Sequence, residues 1–358
     1  MGDFLIIGGG IAGISAAARL SQLGGVTVLE GEEALGYHAS GRSAACYLAA
    51  YGKPAVRALN EASADYLHHA NGGVLSPRGQ MLLARAGEES PFEHEIATYG
   101  LREFTLDEAR AIVPILNPAS VARAAFTPDV HDLDTDRFLQ DFAREARGNG
   151  ARIVTRAMVT AIAREAGRWR VTAGDEVFEA ETLVNAAGAW ADLVAERAGV
   201  PPKGIRPFRR SMARLPAPGG HDVSGWPFIE GVGEAWYAKP DAGKLIVSPA
   251  EEDPQPPHDA FADDMVLAEG LARYEEMVTE PVTRVEGNWA GLRSFAPDRV
   301  LVIGRDPAQP AFVWAAGQGG YGFQTAAAAS QLLADLLAGR PPELDAATVA
   351  ALSPERFA

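Results

Sequence analysis

The chain has 358 residues, 47 % of them hydrophobic, a formal net charge of −15 and a single cysteine. This length predicts two domains. The acidic balance excludes a polyanion such as nucleic acid as the partner, because such partners need a basic surface. One cysteine excludes an internal disulfide framework and a cysteine-rich metal site. No stretch approaches the length of a membrane span, and a first strand predicted from residue 3 leaves no room for a signal peptide, so we expect a cytoplasmic protein.

The N-terminal part of the chain carries a dinucleotide-binding pattern. An apolar strand leads into Gly8-Gly9-Gly10-Ile11-Ala12-Gly13, an alanine-rich helix follows, and a second apolar strand ends at Glu30. Gly8 permits a tight turn, Gly10 lets a pyrophosphate approach the backbone, and Gly13 lets the helix pack closely on the sheet. Glu30 is positioned to accept hydrogen bonds from a ribose and to repel a 2′-phosphate, which favours FAD or NAD over NADP.

A second glycine-rich loop, Gly317-Gln318-Gly319-Gly320-Tyr321-Gly322, lies near the other end of the chain and leads into another alanine-rich helix. The N-terminus of a helix offers unpaired N–H groups to an anion. Two such loops indicate that both ends of a long cofactor are held, which favours FAD over NAD. Residues 36–47 contain small and hydroxyl side chains around Arg42, a composition suited to a loop against a phosphate or a flat ring.

The segments between the two loops predict a mixture of parallel and antiparallel structure. Helices are predicted over residues 53–69, 91–98, 106–112, 135–147 and 261–279. Strands are predicted over residues 80–84, 182–186, 211–215, 235–239, 244–248, 300–303 and 312–316. Short alternating runs at 152–155, 159–163, 169–172 and 177–180 resemble an antiparallel meander inserted into a parallel sheet. In the acidic run between Asp129 and Asp136, we interpret Asp134 as a helix N-cap and expect no metal site.

These elements predict an α/β protein with two domains. The first is a discontinuous Rossmann-type FAD-binding domain made of residues 1–75, 130–204 and 287–358. The second is an α+β substrate domain with a mostly antiparallel sheet, made of residues 76–129 and 205–286.

With these motifs the chain resembles the D-amino acid oxidase and glycine oxidase superfamily of FAD enzymes, and most closely the bacterial FAD-dependent D-arginine dehydrogenases. The resemblance runs over nearly the whole chain. Its most specific pieces are Gly36-Tyr37-His38 with Gly41–Ala45, Val184–Trp190, Tyr237–Gly243, Trp289–Phe295 and Gln318–Gly322.

The resemblance implies non-covalent FAD, with the ADP half at the first glycine loop and the adenine beside Val159. It also implies that the last helix directs its positive end at the flavin N1–C2=O edge, where a reduced flavin carries negative charge. The implied cofactor-binding residues are Gly8, Gly10, Ile11, Ala12, Gly13, Glu30, Gly31, Ala39, Ser40, Gly41, Arg42, Ser43, Ala44, Ala45, Cys46, Val159, Ala187, Gly188, Trp190, Gly319, Gly320, Tyr321, Gly322 and Gln324.

For the substrate, the resemblance implies a pocket formed by Tyr51, Gln80, Arg210, Tyr237, Arg293 and the backbone at Gly320. Two arginines suit one carboxylate, because a planar guanidinium offers paired donors. Arg209 is an alternative to its neighbour Arg210. No acid–base pair stands out in the sequence, so positioning of the substrate would be the main catalytic contribution.

Two positions differ from the close relatives. Gln80 stands where they carry a glutamate that meets a substrate guanidinium, which favours neutral D-amino acids unless Glu88, Glu230 or Glu234 supplies the charge. Cys46 stands where they carry a histidine near the flavin, and we interpret it as a small, inert residue in preference to a covalent flavin link or a redox role.

The resulting hypothesis is a dehydrogenase that oxidises a D-amino acid by hydride transfer to flavin. The electron acceptor, a quinone or another compound, is not fixed by the sequence. The alternatives are an oxygen-using oxidase of glycine, an N-alkyl glycine or a cyclic secondary amine, a non-catalytic flavin-binding subunit, and, more weakly, an NAD-dependent dehydrogenase.

Overall fold

The computed structural model describes residues 3–357, which form helices and two large sheets. The helices among these residues are α1 (Ile11–Leu20), α2 (Pro54–His69), α3 (Glu89–Tyr99), α4 (Leu106–Ile112), α5 (Thr135–Gly148), α6 (Ala191–Arg197), α7 (Asp264–Glu276), α8 (Gly322–Ala338) and α9 (Ala346–Leu352). The strands are β1 (Phe4–Ile7), β2 (Val26–Leu29), β3 (Cys46–Tyr47), β4 (Leu75–Pro77), β5 (Gln80–Ala84), β6 (Arg102–Phe104), β7 (Arg123–Thr127), β8 (His131–Leu133), β9 (Arg152–Val154), β10 (Val159–Glu165), β11 (Arg168–Ala173), β12 (Glu176–Ala180), β13 (Thr182–Asn185), β14 (Arg206–Leu215), β15 (Phe228–Gly231), β16 (Tyr237–Asp241), β17 (Lys244–Ser248), β18 (Asp253–Pro254), β19 (Gly287–Phe295), β20 (Val302–Arg305) and β21 (Phe312–Ala316).

The first sheet has the strand order β20-β21-β13-β1-β2-β9 and is parallel except for β20. Two of its strands, β1 and β21, are buried on both faces and are apolar throughout. On one face of the sheet, Phe4 and Ile6 pack with α1, α5 and α8. On the other face, Leu5 packs in a second core that includes Trp169 of the β10-β11-β12 meander. The meander predicted from the sequence is confirmed for three runs. The prediction for residues 152–155 is wrong, because β9 joins the parallel sheet beside β2.

The second sheet has the order β18-β14-β17-β16-β15-β5-β7-β6, and β19 pairs with β14 along the whole of its length. Every pairing is antiparallel except that between β15 and β5. A mixed α/β fold with a Rossmann-type sheet and a mostly antiparallel second sheet is therefore confirmed. The division into domains stays a prediction: β19 lies in a segment assigned to the FAD-binding domain yet belongs to the second sheet, and residues 1, 2 and 358 lie outside the described part.

Most predicted elements are present with shifted ends. β14 begins five residues before the predicted strand because its first half pairs with β19, a partner that local sequence cannot reveal. β15 and β19 were not predicted as strands.

The Asp134 carboxylate accepts a hydrogen bond from the Arg137 N–H and caps α5, as predicted. Within residues 3–357, no cluster of three or more His, Cys, Asp or Glu side chains could hold a metal ion, and no helix is long and apolar enough to cross a membrane.

The first glycine loop brings α1 into direct contact with the sheet. Gly8 has φ +111°, and a Cβ added there would lie 2.3 Å from the Ala186 carbonyl oxygen. A Cβ on Gly13 would lie 1.9 Å from the Gly8 carbonyl oxygen. Only glycine fits at either position, and the first turn of α1 is thereby held at the carboxyl ends of β1 and β13, where open α/β sheets bind ligands.

Candidate active site

A cavity lies beyond the carboxyl ends of β1, β2 and β13, and we call it the Glu30 cavity. The predicted cofactor-binding residues that line it are Gly8, Gly10, Glu30, Gly31, Ala39, Ser40, Arg42, Val159, Ala187, Gly188 and Trp190. The Glu30 carboxylate is held by two backbone donors, the N–H of Gly9 at 2.6 Å and that of Glu32 at 2.9 Å. A carboxylate fixed at the end of β2 is suited to accept hydrogen bonds from a ribose diol.

A second cavity, the Arg293 cavity, continues from the first, since both are lined by Gly10, Ala39, Ser40, Arg42 and Gly188. Its other predicted cofactor-binding residues are Ile11, Ala12, Ser43, Ala44, Ala45, Cys46, Gly319, Gly320, Gly322 and Gln324. The two cavities form one elongated cleft that begins at an acidic strand end and finishes at the second glycine loop. That shape suits a dinucleotide whose two ends are held separately.

The second glycine loop presents a helix N-terminus and a free amide to this cleft. α8 begins at Gly322, and its Gln324 side chain accepts a hydrogen bond from the Leu48 N–H at 3.0 Å through Oε1. The Gln324 Nε2 is buried and has no partner among the described residues. A buried N–H donor without a partner costs about 1–3 kcal/mol. A flavin carbonyl lying there would satisfy it, so the residues present fit FAD.

Two arginines from neighbouring strands face the Arg293 cavity. Arg210 on β14 is buried and Arg293 on β19 is half-buried with its Nη1 enclosed, and Tyr51 and Tyr237 line the same wall. Within the described chain, Arg293 Nη1 and Arg210 Nε and Nη1 make no hydrogen bond. Burial and the nearby Arg293 charge both lower the pKa of Arg210. Two adjacent cations with unused donors are suited to an anion, and a carboxylate matches their planar geometry.

The structure distinguishes Arg210 from its neighbour Arg209. Successive side chains on a strand point to opposite faces. The Arg209 side chain is therefore turned away from the cavity, where it pairs with Asp253 at 2.8 Å and Glu251 at 3.6 Å. Arg210 lies 3.4 Å from Glu252 and lines the cavity.

Four predicted site residues do not line the cleft: Gly13, Gly41, Gln80 and Tyr321. Gly13 acts through helix packing, and the Gly41 N–H donates to the Gly36 carbonyl within its own turn at 2.6 Å. The Tyr321 hydroxyl donates to the Arg299 carbonyl at 2.6 Å, which turns its ring away from the cleft. Gln80 is buried beside Glu230.

Arg42 lines the cleft, but its guanidinium is engaged by the protein. It donates to the carbonyl oxygens of Ala260 at 2.8 Å and Ala290 at 3.0 Å, and it pairs with Asp259 at 2.5 Å. The expected pyrophosphate or flavin contact would have to come from its stem or neighbouring backbone. Its role in the structure is to join residues 259–260 and β19 to the cofactor loop.

Part of the wall of the Arg293 cavity was not predicted from the sequence. Tyr99, Met212 and Phe228 line the Arg293 cavity, and so do Glu230 and Glu234, which were considered only as substitutes for a missing charge. A signal for Glu230 was available: it is the one charged residue between Trp226 and Val232, an otherwise apolar run. Tyr99 is the last residue of α3 and carried no comparable signal.

We expect the FAD to be released from the denatured protein. Burial raises the pKa of the Cys46 thiol to about 11, so it is protonated near neutral pH and is a poor nucleophile. Acid or heat precipitation should leave the yellow colour in the supernatant, and Cys46→Ser should keep the wild-type flavin content. Flavin that precipitates with the wild-type polypeptide but not with Cys46→Ser would contradict this expectation.

A dinucleotide cleft with two glycine loops that opens beside a pair of arginines fits an FAD-dependent oxidoreductase. The DAO family model, described as FAD dependent oxidoreductase, matches residues 3–336, and the chain belongs to this family. FAD is its cofactor.

Relatives of known activity agree with this class. The chain is 27 % identical to a glycine oxidase of Bacillus licheniformis over 95 % of this chain and 94 % of the relative. It is 25 % identical to a D-amino acid dehydrogenase of Paramagnetospirillum magneticum over 74 % of this chain, which spans 64 % of that protein. The crystal structure of glycine oxidase from Geobacillus kaustophilus has the same fold, with a TM-score of 0.83, 21 % identity and full coverage of both chains.

Proposed function

We propose that the protein oxidises a D-amino acid at the α-carbon, and that the resulting imino acid hydrolyses to a 2-oxo acid and ammonia. The electrons then pass to an acceptor other than oxygen. The observation that carries this proposal is the arginine pair, Arg210 and Arg293, whose enclosed and unused N–H groups face the cavity that the second glycine loop also lines. The D configuration and the non-oxygen acceptor are supported by the motifs shared with D-arginine dehydrogenases and by the D-amino acid dehydrogenase relative.

The arginine pair would hold the substrate carboxylate in a fixed orientation. Arg293 packs against the cofactor loop, since a Cβ added to Gly320 would lie 3.0 Å from Arg293 Cζ. The Tyr237 hydroxyl donates to the Met212 sulfur at 3.3 Å, a weak acceptor that a substrate oxygen or nitrogen can replace. Burial raises the pKa of Tyr51, which keeps its phenol neutral and able to donate.

FAD, when bound, supplies the acceptor for the hydride that leaves the substrate α-carbon. The contribution of the protein is to bind the carboxylate, orient the α-hydrogen and exclude water. Because the anchoring guanidinium rests on the loop that lines the cofactor cleft, the substrate is positioned relative to that loop. Positioning of this kind accounts for a large part of the barrier reduction in many enzymes.

The cavity also offers room for a substrate side chain. From the arginine pair it extends past Tyr237 to Tyr99, Phe228 and Glu230. Glycine has no side chain to occupy this region. The extension favours an amino acid with a side chain over glycine, the substrate named for the Bacillus licheniformis relative.

The test is anaerobic mixing of the purified yellow protein with D- and L-amino acids, glycine and N-methylglycine, followed by admission of air. We expect bleaching of the flavin by D-isomers that carry a side chain, and slow recolouring in air. Bleaching by glycine or N-methylglycine with rapid recolouring would favour the oxidase alternative. Bleaching by L-isomers alone would contradict the proposed stereochemistry.

A further inference from the structure

Building on the proposed function, we infer that Glu230 selects the side chain of the substrate. In its ionised form it receives a cationic head group, and in its protonated form it receives a neutral hydrogen-bonding head group. The same residue would then change the preferred substrate with pH.

Glu230 occupies the end of the cavity that is remote from the arginine pair. It is 8 % exposed and lies on β15, whereas Arg210 lies on β14. The order β14-β17-β16-β15 separates them by three strand spacings, or about 14 Å at roughly 4.8 Å per spacing. A substrate whose carboxylate binds Arg210 and Arg293 would direct its side chain along the sheet, past Tyr237 on β16, toward Glu230.

Glu230 also borders the passage that leads from this cavity to the surface, which we call the acidic passage. Its carboxyl groups are those of Glu95, Glu230, Glu234 and Glu252, and they face the guanidinium groups of Arg210 and Arg299. Arg299 is neutralised by Glu252 at 2.8 Å. A head group that reaches Glu230 therefore meets an environment rich in acceptors, which favours a donor or a cation over a second carboxylate.

The Gln80 side chain orients the Glu230 carboxyl group and does not replace it. The Gln80 Nε2 donates to Glu230 Oε1, and Gln80 itself is 1 % exposed and does not line the cavity. In the described part of the chain, no cation pairs with Glu230, so a substrate group can still bind it. Of the acids considered from the sequence, Glu230 is the one that the parallel pairing of β15 with β5 brings beside Gln80.

Of the other acids considered from sequence, Glu88 is excluded as the substitute. Its carboxylate pairs with Arg85 at 2.8 Å, away from the cavity lining. Glu234 lines the cavity, but its carboxylate forms an ion pair with the Arg210 guanidinium at 3.8 Å. Glu230 is the buried one of the three.

The charge state of Glu230 changes within an accessible pH range. Burial, and then the negative charge of Glu234, raise its pKa to about 8, with a smaller contribution from Glu95 and an opposing one from the Gln80 hydrogen bond. Tyr99 and Cys46 also face it, and burial raises the pKa of each, so both are neutral near pH 7 to 8. Tyr237 lines the same cavity. Without a bound substrate, the Glu230 carboxyl group is therefore largely protonated at pH 7. A cation that binds beside it must displace that proton. Selectivity for a cation should rise as pH increases through about 8.

The measurement is kcat/KM for D-arginine and D-citrulline, taken from anaerobic flavin reduction between pH 6.5 and 9.5. These substrates have nearly the same shape, but only the first is cationic, so their ratio cancels most effects of the α-amine and the flavin. For the wild type we expect the D-arginine to D-citrulline ratio to rise by about ten-fold with an apparent pKa near 8, as a charged hydrogen bond replaces a neutral one.

Glu230→Gln should remove this pH dependence. We expect a ratio at pH 9 at least ten-fold below that of the wild type, while kcat/KM for D-citrulline changes by less than about three-fold. Glu88→Gln removes the same charge at a half-buried position outside the cavity and is the matched control, with an unchanged ratio at every pH. FAD content verifies the folding of both variants.

A ratio that is flat with pH in the wild type would overturn the inference, even if Glu230→Gln failed to fold. An equal loss of kcat/KM for D-arginine and D-citrulline in Glu230→Gln would also overturn it. That pattern is expected of a residue that acts on the α-amino group, which both substrates share. If no D-amino acid bleached the wild-type flavin, the proposed function itself would fail. Bleaching by D-citrulline with no effect of Glu230 would leave that function intact and reject only the role of Glu230.

Discussion

Replacing Arg293 by methionine should reduce kcat/KM for every amino acid substrate by roughly ten- to several-hundred-fold. The change removes a buried, charge-assisted contact with the carboxylate, worth about 1.5–3 kcal/mol or more, and leaves Arg210 alone at the site. FAD should remain bound, because methionine fills a similar volume beside Gly320. Steady-state kinetics with an artificial acceptor, together with the visible flavin spectrum, measures both quantities.

Two further variants separate the roles of charge and geometry at this site. Arg293→Lys keeps the charge but loses the planar pair of donors, so its kcat/KM should fall between those of wild type and Arg293→Met. Arg206→Met makes the same change at an exposed position of β14 and should have wild-type kinetics. Unchanged kinetics in Arg293→Met on all amino acids tested would refute the carboxylate assignment.

Replacing Gly13 by alanine should strip the protein of most of its FAD and lower its stability. The new Cβ would lie 1.9 Å from the Gly8 carbonyl oxygen and 3.3 Å from the Ala186 Cβ, so α1 must move away from the sheet. Overpacking of this kind costs about 1–3 kcal/mol, and the displaced helix start no longer meets the pyrophosphate. Flavin content after purification and thermal unfolding of the holoprotein measure the two effects.

The matched control is Gly148→Ala, in the last turn of α5. An added Cβ there meets nothing within 4 Å, and the glycine does not require a positive φ. FAD content should match the wild type, and stability should be unchanged or slightly increased, because alanine favours the helix by about 1 kcal/mol over glycine. Full flavin occupancy in Gly13→Ala would mean that the close helix–sheet contact is not needed for cofactor binding.

The cofactor cleft was largely predictable because its determinants are local. The first glycine loop, the strand on each side of it and Glu30 lie within one continuous segment, so their spacing in sequence reproduces their arrangement in space. The same is true of Gly319–Gly322 at the start of α8. Tyr321 is the exception, since the loop backbone lies at the cleft while its side chain turns toward Arg299.

The substrate wall was less predictable because strands far apart in sequence build it. Arg210 and Arg293 are brought together by the pairing of β14 with β19, and β19 itself was not predicted as a strand. The choice between Arg209 and Arg210 depends on which face of β14 meets the cavity. A shift of one residue in register would exchange them.

The sequence by itself determined the α/β class and the FAD-type fingerprint, because glycine conformation, helix capping and alternation along a strand act over a few residues. Only the tertiary structure decided that Gln80 lies behind Glu230 and that a carboxyl group therefore remains in the pocket. Residues 80 and 230 are far apart along the chain, and they meet through the parallel pairing of β5 with β15. Contacts of that kind depend on how whole sheets assemble, and no local pattern of residues encodes them.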